Sequence, residues 1–282
     1  MVNSRRTRTA VALYSCLCGA AAVAAQQSSA ASDASKPFQW PEGKRAAVSL
    51  SFDDARLSQV DVGLALLKKA DVKVTFFVNP GAVEKRLAGW KQAVADGHEI
   101  ANHSLSHPCT GNYAFSIANA LENYTLTMMA RQLDEANDRI RGLLGVTPTT
   151  FAYSCGLKFV GRGLDVRSYV PLVAERFVVG RGYLDEAANN PAVTDLAQAM
   201  GTAFDDMEFS QMKTIVDSAA AEGRWVIFVG HEIGERRRQT TDSRALEQLC
   251  AYLKEAAHHV WLGTVAEIGT YVRDKQQVRA GG

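Results

Sequence analysis

The chain has 282 residues, 47% of them hydrophobic and 22% charged, with 31 basic side chains against 30 acidic ones. This composition excludes a disordered, collagen-like or disulfide-dense chain. A formal net charge of +1 lacks the basic excess of a dedicated nucleic-acid binder, so no nucleic-acid partner is expected.

In chain order, the first feature is an export signal. Arg5, Arg6 and Arg8 precede an uncharged stretch from Ala10 to Ala25, which closes on the small residues Ala22, Val23, Ala24 and Ala25. A basic start, an apolar middle and a small-residue exit read as a signal peptide over residues 1–25. The stretch is shorter than the roughly 20 residues that cross a bilayer, so a secreted or periplasmic protein without a membrane span is expected. Residues 26–41 are small, polar and aperiodic, and read as a flexible lead-in. From 42 to 275 neither a solenoid repeat nor a long linker interrupts the sequence, which therefore reads as one domain.

Strand and helix signals alternate along that domain. Strands are predicted over Ala46–Phe52, Val72–Val78, Glu99–Ala101, Thr150–Tyr153, Phe177–Val179, Trp225–Val229 and Val260–Leu262. Helices are predicted over Val60–Lys69, Val83–Asp96, Ile117–Leu144, Met207–Ala221 and Leu246–Ala257. In the first strand Val48, Leu50 and Phe52 share one face and Ala47, Ser49 and Ser51 the other, a period of two. Alternation of this kind implies parallel strands, because a crossover must carry the chain back. Seven units suit an α/β barrel, closed or nearly so. In such barrels chemistry gathers where strands end, which places Asp53, Asn79, His103, Tyr153 and His231 on one rim.

The strongest local signal is His103-Ser104-Leu105-Ser106-His107, two histidines four apart whose imidazoles can point at a common zinc-like ion. Asp53-Asp54 ends a buried strand, where two carboxylates are costly unless paired or bound to a cation. Two histidines beside one aspartate make a three-ligand set with room for a water, the catalytic arrangement of zinc, and the neighbouring carboxylate can serve as general base. A second Phe-Asp-Asp at Phe204-Asp205-Asp206 precedes a helical stretch and reads as a helix cap. His231 follows the apolar run Val226–Gly230 on the same rim and suits a general acid. His98 and His258-His259 read as structural, and Arg236-Arg237-Arg238 as a solvated loop. Cys16 and Cys18 fall in the signal, which leaves Cys109, Cys155 and Cys250; in an oxidising compartment that permits one disulfide and one free thiol.

Ser51-Phe52-Asp53-Asp54, then His98-Glu99-Ile100-Ala101-Asn102-His103-Ser104-Leu105-Ser106-His107, then a strand ending in a histidine, resemble the polysaccharide deacetylases of the NodB-homology type, from about Arg45 to Val272. The resemblance implies a distorted (β/α)7 barrel and one divalent metal ion, usually zinc. It makes Asp53 the base, Asp54, His103 and His107 the metal ligands, and His231 the acid. Phe151-Ala152-Tyr153-Ser154-Cys155-Gly156 stands where the family typically has Phe-Arg-Pro-Pro-Tyr-Gly, so Ala152 replaces an arginine that orients the base. Tyr153, Gly156 and the backbone near Cys155 are expected at the substrate or oxyanion. The family's aspartate–tryptophan element is missing; Arg181-Gly182-Tyr183-Leu184-Asp185 occupies roughly its place, and Arg181 is expected to supply the lost guanidinium to Asp53. A shared location by the site, together with export, suggests a Cys109–Cys155 disulfide, with Cys250 buried.

The implied activity is metal-dependent hydrolysis of N-acetyl or O-acetyl groups on an acetylated glycan. Polymers of N-acetylglucosamine and O-acetylated xylan are both admitted. Two rivals remain at this point, a hydrolase of other linear or cyclic amides on the same fold and a glycan-binding pseudoenzyme. Retention of an acid–base pair speaks against the second, because binding alone needs neither.

Overall fold

In the computed structural model, which describes residues 38–280, the apolar run Ala46–Asp53 forms strand β1 at the middle of the sheet. The signal peptide and residues 26–37 of the lead-in lie outside the described residues. The alternation in β1 sorts two environments. Val48, Leu50 and Phe52 join the larger core, beneath helices α1 (Leu64–Ala70), α2 (Leu87–Ala95), α3 (Leu126–Leu144), α4 (Phe209–Glu222) and α5 (Ser243–Lys254). Ala47, Ser49, Ser51 and Asp53 point to the other side, the barrel interior.

The remaining barrel strands are β2 (Thr75–Val78), β3 (Glu99–Asn102), β4 (Thr150–Ala152), β5 (Val179–Arg181), β6 (Thr202–Ala203), β7 (Trp225–Gly230) and β8 (Val260–Leu262). Every pairing among them is parallel, in the order β5-β4-β3-β2-β1-β7-β6. β8 pairs with the first half of β1, Ala46–Val48, and β2 with its second half, Ser51–Asp53. A single bridge between Arg181 and Ala199 ties β5 to the segment leading into β6, so the ring is drawn nearly shut. The fold is a distorted (β/α)7 barrel. Its interior is lined by small side chains, Ala101, Ala152 and Ala199, beside Phe77 and Ile227.

Four departures from the sequence expectations have local causes. Phe38 and Trp40, placed in the flexible lead-in, dock on Trp261 and Tyr271, and Trp40 is buried. Aromatic burial thus starts the packed unit ahead of residue 42. The helix expected from Ile117 begins only at Leu126, where the Thr125 side chain accepts the Met128 N–H as a cap. Short 3-10 turns at Ala114–Asn119 and Leu121–Asn123 precede it. The predicted strand over Val72–Val78 forms only from Thr75. Finally, helix α6 (Val265–Ala280) runs beyond residue 275 and buries Val265, Ile268 and Val272 together with Trp225. Gly269 lies so close to β5 that a Cβ there would meet Val179 at 2.2 Å.

Candidate active site

The two carboxylates that end β1 are sent in different directions by the backbone. Asp54 and Ala55 both adopt left-handed conformations, φ 73° and 52°, and the turn they make separates neighbouring side chains. Asp54 faces the histidine pair. Its Oδ1 lies 3.4 Å from His103 Nε2 and 3.4 Å from His107 Nε2. Its Oδ2 accepts two hydrogen bonds from the Arg56 guanidinium, from Nε at 3.2 Å and Nη2 at 2.8 Å. Arg56 therefore leaves a single oxygen turned to the imidazoles.

The loop after β3 brings those imidazoles together. His103 Nδ1 donates to the Ala152 carbonyl at 2.9 Å, which turns Nε2 toward Asp54. Ser104 and His107 are left-handed, the Ser104 hydroxyl accepts the His107 N–H, and Asn79 Nδ2 donates to the carbonyls of His103 and Ser104. The ligand atoms of Asp54, His103 and His107 lie within 4.8 Å of one another. Burial would raise the Asp54 carboxyl, but the His103 hydrogen bond and the histidines around it outweigh that and hold it well below the usual carboxylate range. Burial, then the charge of His103, pushes His107 down to about 4, which leaves a neutral imidazole with a lone pair to offer. Two imidazole nitrogens and one carboxylate oxygen are a donor set that fits a zinc-like dication.

The opposite side of the cluster is built from separate strands. Asp53 is buried; its Oδ1 accepts a hydrogen bond from Arg181 Nη2, and its Oδ2 lies 3.9 Å from His103 Nε2. Arg181 stands in register with Ala152 on the adjacent strand, so the guanidinium comes from the position directly across from the missing arginine. It is itself fully buried, donates to the Gly182 carbonyl at 2.8 Å and lies 4.7 Å over the Phe77 ring. Space for it depends on Gly201, where a Cβ would come within 2.5 Å of Arg181 Cδ. His231 follows β7, with Nδ1 2.6 Å from Asp205 Oδ2. Asp205 Oδ1 accepts from the His231 N–H at 3.1 Å and from Thr241 Oγ1 at 2.9 Å. Burial works to lower the His231 pKa, yet the Asp205 hydrogen bond and the charges of Asp53, Asp205 and Asp54 prevail and raise it. Gln59 fastens the two halves, its Nε2 donating to the carbonyls of Asp53 and His231 at 2.6 and 2.8 Å.

The structure thus brings Asp53, Asp54, His103, His107, His231 and Arg181 to one rim. It corrects two expectations. Asp205 is not a helix cap: it orients His231, while Glu208 and Gln211 form the reciprocal capping box of α4. Tyr153 does not face substrate or an oxyanion: its ring is buried among Phe151, Tyr169 and Val173, and its hydroxyl donates to the Ala197 carbonyl. Burial pushes that phenol well above the ordinary tyrosine range, in a core that stabilises the fold, not the site. Cys155 and Gly156 remain at the rim. Cys155 is joined to Cys109 by a disulfide with Cα atoms 6.0 Å apart, and Gly156, at φ 71°, backs onto the Tyr183 carbonyl, which a Cβ would meet at 3.0 Å. The bridge closes a separation of 46 residues, worth about 4 kcal/mol in chain entropy. Cys250 is a buried free thiol in α5, and the Arg236–Arg238 run is exposed. Sequence reading passed over Arg56, Gln59 and Thr241, which hold Asp54, the carbonyls of Asp53 and His231, and Asp205 in place. For Asp205 a signal existed, the repeat of the Phe-Asp-Asp that ends β1.

The family model for polysaccharide deacetylase matches residues 41–160. A stretch of 93 residues is 34% identical to the uncharacterized protein YlxY of Bacillus subtilis (strain 168), covering 33% of this chain and 26% of that one. Over 141 residues the chain is 30% identical to a chitin deacetylase of Colletotrichum lindemuthianum, covering 46% and 54%. It spans about a quarter of the first relative and about half of the second. A solved structure from Mycobacterium smegmatis, classed with the polysaccharide deacetylases, superposes with a TM-score of 0.64 at 16% identity, over 86% of this chain and 95% of that one, a likeness of fold. Residues 41–160, which carry the strand and histidine motifs, thus match the polysaccharide deacetylase family in sequence, and the whole barrel shares the fold of that solved structure.

Proposed function

We propose that the protein is an exported hydrolase that removes acetyl groups from a glycan. Export rests on the residue pattern of 1–25, and the catalytic domain is assigned to 42–275 with the docked residues 38–41 and the end of α6 added. The observation that carries the reading is the placement of one buried acid–arginine pair and one acid–histidine pair on the rim that holds Asp54, His103 and His107. A divalent ion held by those three, zinc by its donor preference, would supply Lewis-acid chemistry at the acetyl carbonyl and make water a nucleophile near neutral pH.

The chain's own residues do the rest. Arg181 holds one oxygen of Asp53, which leaves the other directed at the cluster as the base that takes a proton from water. Asp205 holds His231 at Nδ1, so its proton-transfer atom is Nε2, and the raised pKa keeps that proton in place. Hydroxide adds to the carbonyl carbon, the bond to the sugar nitrogen or oxygen breaks, and His231 protonates the departing atom. Acetate and a free amine or hydroxyl result. The backbone N–H of Cys155 is assigned to the oxyanion, a role that needs no particular side chain, while the Gly156 N–H closes the turn on the Tyr153 carbonyl at 2.9 Å. Retention of both proton-transfer groups and their partners favours catalysis over binding alone.

The test is acetate release by the zinc-loaded protein from acetylated peptidoglycan fragments, chitin oligosaccharides and acetylxylan, with small cyclic amides alongside. Release from at least one glycan, and loss of both metal affinity and turnover in His103→Ala, are the expected results. Hydrolysis confined to the cyclic amides, or full activity in His103→Ala, would discard the proposal.

A further inference from the structure

The segment that follows the second histidine carries three large apolar side chains facing solvent. Phe115 is 68% exposed, Ile117 65% and Tyr113 49%. The rings of Tyr113 and Phe115 are nearly parallel, 15° apart with centroids separated by 5.4 Å, and the Phe115 ring lies 6.2 Å from that of His107. An apolar surface therefore begins one ring away from the candidate metal ligands and leads outward from them. Solvent exposure of this kind is costly unless something covers it.

The segment is not free to turn these rings inward. Cys109 anchors its start through the disulfide. The Ser116 hydroxyl bonds both the N–H and the carbonyl of Cys109 at 3.0 Å, and the Glu122 carboxylate accepts from Thr110 Oγ1 and the Gly111 N–H. Asn119 Nδ2 donates to the Ser106 carbonyl at 2.9 Å, tying the far end to the loop that holds the two histidines. The rings are thus presented on a fixed frame, the preorganised state that lowers the cost of binding. Residues 111–119 carry no charge, which suits a neutral occupant.

We infer that Tyr113 and Phe115 form a stacking subsite for a neutral pyranose of the glycan chain, next to the sugar whose acetyl group is removed; this rests on the proposed deacetylase reading. A pyranose with equatorial substituents presents an apolar face of C–H groups, and a flat aromatic face covers it well. The hydroxyls at its edge stay in water. Such a subsite selects for chain length, because the rings are covered by the neighbouring sugar and not by the one that reacts.

The experiment compares kcat/KM for acetate release from chitin mono- to tetrasaccharides, or from O-acetylated xylo-oligosaccharides of the same lengths where xylan is the glycan that the wild type accepts. The wild type is expected to favour the longer chains. Phe115→Ala lowers kcat/KM on the tetrasaccharide about tenfold and on the monosaccharide much less, the size expected when a ring no longer covers an apolar face. Tyr113→Ala lowers it about threefold in the same pattern, and Phe115→Trp restores the preference for length. Leu164→Ala, which removes a 99% exposed side chain outside this segment, keeps that preference. Equal losses on short and long substrates, a wild type indifferent to length, or a Leu164→Ala effect equal to that of Phe115→Ala would overturn the subsite while leaving the deacetylase reading intact. No acetate from any glycan with the wild type would overturn both.

Discussion

Asp53, buried, and Glu99, half-buried, are carboxylates on barrel strands, at opposite ends of the barrel, and their surroundings differ in kind. Asp53 ends β1 and meets a buried guanidinium on one oxygen and the histidine cluster near the other. Glu99 begins β3. Its Oε2 accepts from Thr75 Oγ1 at 2.7 Å and from the Ala266 N–H at 2.9 Å, and its Oε1 from Thr150 Oγ1. Burial raises the Glu99 carboxyl above its ordinary value despite these donors. The acid at the strand start joins β2, β4 and the first turn of α6 by neutral hydrogen bonds. The acid at the strand end has a cation for a partner and a donor cluster beside it. Burial alone, then, does not mark a reactive group; the charge and reach of its partners do.

The substitution with the largest expected effect is Asp53→Asn. Loss of a general base lowers kcat by about 10²–10⁴. The change also leaves the Arg181 charge buried without its acid, at a cost of about 3–5 kcal/mol in stability. Acetate release per folded molecule and denaturant unfolding read the two effects separately. If turnover per folded molecule stayed above a tenth of wild type, Asp53 would be a structural acid like Glu99.

How much of this contrast was legible beforehand depended on how local each signal is. The inward face of β1 could be read because eight residues alternate, and Asp53-Asp54 ends that run. His103 and His107 could be paired because they stand four positions apart. Arg181 was found through an absence, the alanine at 152, and the parallel register across β4 and β5 explains why the two positions are equivalent in space. Asp205 was misread because β6 is two residues long, too short for any periodicity to announce a strand end there. Tyr153 was misplaced for the opposite reason. A rim position says where the backbone lies, and its side chain had a deeper pocket among Phe151 and Tyr169 to fill. Helix α6 escaped because only Val265, Ile268 and Val272 mark its buried stripe in an otherwise polar sequence.

Asp205→Asn probes the same rim more gently. The amide can still hold the imidazole ring in place, but it removes the charge that helps raise the His231 pKa. A raised value keeps the acid protonated to higher pH, so lowering it moves the alkaline limb of the kcat/KM profile toward lower pH. A fall of about 10–100-fold is expected at the wild-type optimum, with partial recovery in more acidic buffer. A loss of equal size at every pH would assign Asp205 to holding the fold alone.

The smallest effect belongs to Glu99→Gln, and its pH dependence is what sharpens the difference between the two acids. An amide can reproduce the present bonds, its oxygen accepting from Thr75 and Ala266 and its nitrogen donating to the Thr150 hydroxyl. Stability at pH 4 should therefore change by less than about 1 kcal/mol, against about 1–3 kcal/mol for each donor that Glu99→Ala leaves buried without an acceptor. A group whose folded pKa is raised stabilises fully below its unfolded value, near 4.5, and loses that contribution as pH rises through the folded value. Glutamine has no proton to lose. The stability of Glu99→Gln relative to wild type should accordingly climb as pH rises above about 4.5, with turnover following the wild-type profile throughout. Parallel stability curves for the two proteins across that range would mean that Glu99 titrates alike in the folded and unfolded chain, and the upward shift would have to be given up.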